Sequence, residues 1–170
     1  RQVSSAASDV YKRQTYYRLD QAPLSPGGYG GRRIELMIGG TGEQRTLRTL
    51  AKYGDILNVD GFAGAGMSVD LYRHKVDVLE RHCEREGRDP AEIRHTILAP
   101  TMLTDDQDKA DRFIDAIGAD TIAGSASYIV DRIGGLVEAG VDEIMFGRLP
   151  NRPDAFEQFE AEVLSAFPSS

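Results

Sequence analysis

A chain of 170 residues with 41% hydrophobic content is long enough to bury one core of its own. Its net charge of −7 argues against a basic face for nucleic acid, and no apolar run nears the roughly 18 residues that a membrane-spanning helix needs. The start has no apolar signal core, and the single cysteine, Cys83, cannot form an internal disulfide, so the expectation is a cytoplasmic setting.

Residues 1–14, RQVSSAASDVYKRQ, show neither a helical nor a strand period and join abruptly to a segment that does. The stretch SSAASDVYKRQ is similar to translated adaptor sequence, so residues 1–14 are expected to be a disordered tail foreign to the fold. On this reading residues 15–170 are one domain whose natural beginning lies further upstream. Thr15 to Leu19, TYYRL, has strand-forming residues, and Asp20 to Gly31 is a loop rich in proline and glycine.

The centre of the chain is Ile34 to Gly54, IELMIGGTGEQRTLRTLAKYG. An apolar run, Ile34 to Ile38, meets Gly39-Gly40-Thr41-Gly42 and then helical spacing. Thr41 with Gln44 has the form of a capping box, Leu47, Leu50 and Ala51 share one face, and Gly54 is placed to stop the helix in a left-handed conformation. Glycines at such a turn let a ligand approach backbone N–H groups at a helix N-terminus, which makes an anion site. The pattern is not a Walker loop, because no lysine follows the last glycine, and it is not a full GxGxxG.

A second strand, Asp55 to Val59, runs into Asp60-Gly61 and a loop, Phe62 to Met67. Ser68 can cap a helix with Tyr72, Val76, Leu79 and Cys83 inward, closed by Gly87; on this face Cys83 reads as a core residue. Asp89-Pro90 opens a turn, and Arg94 to Ala99 is the third strand. Thr104 with Gln107 forms a second capping box before Ala110, Phe113, Ile114 and Ile117, and Gly118 ends that helix. An irregular stretch reaches Gly124. Ser125 then caps a helix lined by Ile129, Ile133, Leu136 and Val137, and Gly140 follows it. Val141 to Phe146 is the fourth strand, and Phe156, Phe159 and Val163 line a last helix. Alternation of this kind gives a parallel sheet with outer helices, either an open doubly wound sheet or half of a (β/α)8 barrel.

The three histidines, His74, His82 and His95, lack metal-ligand spacing, and Glu80, Glu84 and Glu86 read as a solvated face. No metal site and no acid/base pair is expected.

From Leu36 to Gly61, LMIGGTGEQRTLRTLAKYGDILNVDG, the chain resembles the luciferase-like monooxygenase superfamily, in particular its deazaflavin-dependent oxidoreductases. YYRLDQAPLSP, RHKVDVLERHCEREGRDPAEI and GSASYIVDRIGGLVEAGVDEIMF agree as well. The resemblance implies the C-terminal half of a TIM barrel, with the strand at Ile34 as roughly the fifth. It implies an oxidoreductase that binds coenzyme F-420, a deazaflavin, or FMN at the C-terminal strand ends. Such an enzyme moves hydride between cofactor and a small organic substrate, with O2 as a further reactant in the FMN monooxygenases. Gly39, Gly40, Thr41 and Gly42 match the family's turn near the cofactor phosphate, and Asn58 matches a position at the mouth of the next strand. Gly124-Ser125 matches a Gly-Thr-Pro-type helix start, with Ala126 in place of the proline. Residues shaping the ring pocket lie largely on the first four strands of relatives, so the half alone is expected to be inactive and the parent a homo-oligomer. Readings from other classes are a non-catalytic barrel partner subunit and an unrelated phosphate-binding α/β module.

Overall fold

Apolar runs of period two become strands and stretches of period 3.6 become helices, in the alternating order that builds a parallel sheet. The computed structural model describes residues 28–60, 68–118 and 121–167. The expected tail over 1–14, the strand at Thr15 to Leu19 and the loop from Phe62 to Met67 lie outside the described residues. The chain divides into two units, Arg1–Ile34 and Glu35–Ser170. In the described part of the first there is a short 3-10 turn at Tyr29–Gly31.

The second unit holds five strands and five helices among the described residues. In order they are β1 (Met37–Gly39), α1 (Thr46–Tyr53), β2 (Ile56–Asp60), α2 (Val69–Glu86), β3 (Arg94–Leu103), α3 (Gln107–Ile117), β4 (Ile122–Gly124), α4 (Ala126–Glu138), β5 (Glu143–Gly147) and α5 (Pro153–Glu162). Every pairing is parallel. β1 lies on β2 and β2 on β3, while β5 pairs with Thr96 to Pro100 of β3. β3 runs to Leu103, beyond the strand end expected at Ala99, and its added residues Thr101 to Leu103 pair with β4. The stretch expected to be irregular thus holds a short strand.

The register places Gly39, Asn58 and Thr96 side by side on one sheet face, and Ile38, Leu57 and Ile97 on the other. The second face meets the helices: Leu47, Leu50 and Ala51 of α1, Tyr72, Leu79 and Cys83 of α2, and Ile129, Ile133 and Leu136 of α4 join Leu57, Val59 and Ile97 in one buried cluster. A fully buried Leu or Ile of this kind stabilises the fold by about 1.5–3 kcal/mol. Val137 and Phe156, expected inward, are about half exposed, at 51% and 49%, whereas Phe159 and Val163 are buried. Phe159 meets Phe146 of β5 edge to face at 4.9 Å, which docks α5 onto the sheet.

Several helix ends differ from the sequence reading. α1 starts at Thr46 with no side-chain cap, so the expected Thr41–Gln44 box does not form. At α3 the capping side chain is that of Asp106, which accepts from the Lys109 N–H, in place of Thr104. Ser68 and Ser125 cap α2 and α4 as expected, accepting from the N–H groups of Leu71 and Tyr128. The C-terminal carbonyls of α1 gain a partner the sequence did not suggest: Arg88 donates to the carbonyls of Leu50, Ala51 and Gly54, the last at 2.6 Å.

Candidate anion-binding turn at the strand ends

Gly39-Gly40-Thr41-Gly42 leaves the C-terminal end of β1 and delivers the chain to α1. Gly40 has φ +118°, a conformation that L side chains rarely adopt, and its N–H donates to the Asn58 carbonyl at 3.0 Å. At Gly42 the reason is space: a Cβ there would lie 2.8 Å from Thr46 Oγ1. Among the described residues, no protein group accepts from the backbone N–H of Thr41, Gly42, Glu43 or Gln44. These four consecutive donors lie in the turn just ahead of α1, whose N-cap is Arg45, and open backbone N–H groups in a turn of this kind are available to an anion. Beyond it a shallow hollow passes over Arg45, Arg48 and Lys52 on the outer side of α1, adding positive potential beside the donors.

The turn is fixed at its far end by Glu43. One carboxylate oxygen, Oε1, accepts from Lys75 Nζ at 2.6 Å and lies 3.0 Å from His74 Nε2, while the Glu43 carbonyl lies 2.8 Å from His82 Nε2. The hydrogen bonds from Lys75 and then His74 hold the Glu43 carboxyl below its ordinary range. Two of the chain's three histidines thus meet at one residue, an arrangement that sequence reasoning missed. The spacing of His74 and His82 was visible as one helix face, but their shared partner lies 31 and 39 residues away.

Asn58 sits at the middle of β2. Its side chain is buried, and Nδ2 donates to Thr96 Oγ1 at 3.1 Å, while Thr96 Oγ1 donates to the Leu57 carbonyl at 2.9 Å. Met145 Sδ is 4.0 Å from the same amide nitrogen. The structure therefore brings Asn58 beside Gly39 and Gly40 through the backbone, and ties its amide to Thr96. Gly124-Ser125 stands at the end of β4, where Ser125 Oγ also lies 3.0 Å from Ser127 Oγ.

At the ends of β3 and β5 a second concavity of about 80 Å³ is lined by Thr101, Met102, Leu103, Arg148, Leu149 and Phe159. Arg148 adopts φ +70°, the one non-glycine residue with positive φ among the described residues. No run of residue types announces that conformation. At the opposite end of β3, the Tyr72 hydroxyl lies 2.9 Å from His95 Nδ1 and donates to the Gly140 carbonyl at 3.2 Å, while the backbone N–H of His95 donates to Asp142 Oδ2 at 2.7 Å. Burial raises the Tyr72 phenol and lowers the His95 imidazole. Cys83 is buried and its thiol is pushed up by that burial, in keeping with a core residue. No group of acidic, histidine or cysteine side chains among the described residues is arranged to hold a metal ion, and no described helix is long and apolar enough to cross a membrane.

No family model matches the chain, and no curated protein matches it in sequence. Solved structures do match. The coenzyme F-420-dependent tetrahydromethanopterin reductase of Methanopyrus kandleri is 19% identical, with a TM-score of 0.69 over 92% of this chain and 57% of that one. An F-420-dependent secondary alcohol dehydrogenase, solved with an F-420-acetone adduct, is 17% identical with a TM-score of 0.72 over 92% and 55%. Riboflavin lyase, solved with modified FMN and riboflavin, is 11% identical with a TM-score of 0.66 over 91% and 47%. The chain spans about half the length of these structures, and at such identities what it shares with them is a fold: a parallel α/β sheet with outer helices, part of a TIM-barrel-like arrangement.

Proposed function

We propose that this chain is the C-terminal half of a flavin- or deazaflavin-dependent oxidoreductase of the luciferase-like superfamily, with the glycine turn holding the cofactor's phosphate. The observation that carries the reading is the row of four N–H groups from Thr41 to Gln44, unpartnered among the described residues and set at the C-terminal end of a parallel strand. TIM-barrel enzymes bind their ligands at that end of the strands. Matches to two F-420-dependent enzymes and to a riboflavin lyase solved with FMN support the cofactor class. The better superposition on the F-420 enzymes favours the deazaflavin.

The residues fit such a group. Gly42 keeps the turn clear of Thr46, whose Oγ1 would lie 2.8 Å from a Cβ there, Gly40 supplies the positive φ that turns the chain, and Arg45 and Arg48 add charge nearby. Gly39 lets the cofactor approach β1, while Asn58 fixes the turn through its carbonyl and lies beneath it on the same face. When bound, the flavin or deazaflavin ring supplies hydride transfer with a small organic substrate. The chain's own part is to bind the phosphate end, orient it through backbone dipoles that need no reorganisation, and keep water from one side of the site. The remaining wall and the catalytic groups belong, on this reading, to the strands that precede Ile34, and the whole enzyme is a cytoplasmic homo-oligomer.

Purified gene product, with whatever coding sequence precedes Thr15, is expected to bind F-420 or FMN at micromolar concentration by fluorescence titration. Gly42→Val should weaken that binding by about tenfold or more, because the added side chain presses on Thr46 and displaces the turn that carries the donors. Phosphate binding with no binding of either cofactor would make the protein a phosphate-binding module instead.

A further inference from the structure

The turn between β1 and α1 is pinned at two points, and the second has no evident role in building the core. Gly40 is tied to β2 through the Asn58 carbonyl, and Glu43 is tied to α2 by His74, Lys75 and His82. Between these points lie Thr41 and Gly42, with their N–H groups unpartnered among the described residues. We propose that Glu43 is a positioning residue for this turn, and that the α2 face bearing His74, Lys75 and His82 sets the turn's anion affinity without touching the anion. The proposal rests on the anion-binding reading of the turn, though not on the identity of the cofactor.

Two physical effects give the clamp its leverage. A trans peptide is planar, so its C=O and the following N–H point in opposite directions. Holding the Glu43 carbonyl 2.8 Å from His82 Nε2 therefore fixes the Gln44 N–H to point away from α2, the last of the four open donors. The second effect is charge. A free carboxylate one residue after Gly42 would repel an anion at the turn, but Oε1 of Glu43 is engaged by Lys75, whose side chain is only 13% exposed, and by His74. The lowered Glu43 carboxyl agrees with that engagement. The capping role expected of Thr41 and Gln44 is absent, so this outside clamp holds the segment that a capping box would have held.

The probe is inorganic phosphate, read by amide chemical shifts of Thr41 to Gln44 in the 170-residue chain. Wild type should show saturable shifts at those amides. Lys75→Met should weaken phosphate binding by about tenfold, since it leaves an uncompensated carboxylate beside the turn, and adding Glu43→Gln should restore most of the loss. His82→Phe should weaken binding and move the Glu43 and Gln44 amide resonances before any phosphate is added, while His82→Gln, which keeps a donor, should leave both near wild type. A clamp with only a structural role would not show the rescue by Glu43→Gln. The proposal is overturned if phosphate shifts none of these amides, if Lys75→Met and His82→Phe bind within about twofold of wild type, or if the double variant stays as weak as Lys75→Met. Phosphate binding with the expected variant pattern, but no binding of FMN or F-420, would defeat the cofactor reading and leave the clamp standing.

Discussion

Two glycines that end helices show how one residue type answers different physical demands. Gly87 has φ +66° and nothing within 4 Å of where a Cβ would stand, so its requirement is conformational. Gly54 has φ −86°, open to any residue, but an added Cβ would lie 2.5 Å from Leu50 Cδ1 and 3.0 Å from Ile38 Cδ1. Its requirement is space, in a buried corner where β1 meets α1. The sequence reading assigned both to helix ends and gave Gly54 the left-handed conformation, because a glycine after an amphipathic run looks the same in either case. The structure predicts a reversal of rank between the two sites. At Gly87, asparagine should be tolerated better than alanine, with the alanine costing about 1 kcal/mol, since asparagine visits the left-handed region more readily. At Gly54, alanine should cost about 1–3 kcal/mol through overpacking, and asparagine more. Urea unfolding of the four variants measures this, and the same order at both sites would refute it.

At the scale of elements, the identity of strands and helices was legible because each carries its own period, while their ends depend on choices among neighbouring polar residues. α3 shows this. Thr104 and Gln107 satisfy the capping-box pattern, yet Asp106 is the N-cap, and Thr104 Oγ1 instead accepts from the Asp106 N–H. Asp106 is pulled below the ordinary carboxyl range, first by its hydrogen bond from the Lys109 backbone, as befits an acid at a helix N-terminus. Asp106→Ala is therefore expected to lower the melting temperature more than Thr104→Ala, and equal effects would return the cap to Thr104. The candidate site divides in the same way. Its glycines were legible because a turn at the end of an apolar run is local, but the Glu43 clamp was not, since its partners come from the next helix. β4 escaped notice because three residues, Ile122 to Gly124, carry too little pattern to read, and they become a strand only where β3 extends to meet them.

For the whole molecule, the feature that binds distant parts of the chain most directly lies at the opposite end of the sheet from the glycine turn. Tyr72 of α2, His95 of β3, the Gly140 carbonyl after α4 and Asp142 before β5 form one hydrogen-bonded bolt. Tyr72 is fully buried, and burial keeps its phenol protonated, so it can always donate. His95 is the titrating member. Burial lowers its folded-state value, and the nearby charges of Asp142 and Glu80 pull weakly the other way. As pH falls through the ordinary histidine value of about 6.5, the unfolded chain takes up this proton before the folded one does. The stability associated with neutral His95 is thus complete above that value, declines as pH drops from it toward the lowered folded value, and then levels off. The urea midpoint of the wild-type chain should accordingly fall between about pH 7 and pH 5, a window above the range in which carboxylates titrate. His95→Gln, which keeps a polar partner for Tyr72 but cannot titrate, should flatten that slope, whereas Tyr72→Phe should lower the midpoint at every pH and leave the slope in place. An unchanged slope in His95→Gln would mean that the bolt is held by Tyr72 and Asp142 alone, with the imidazole free to charge where it stands.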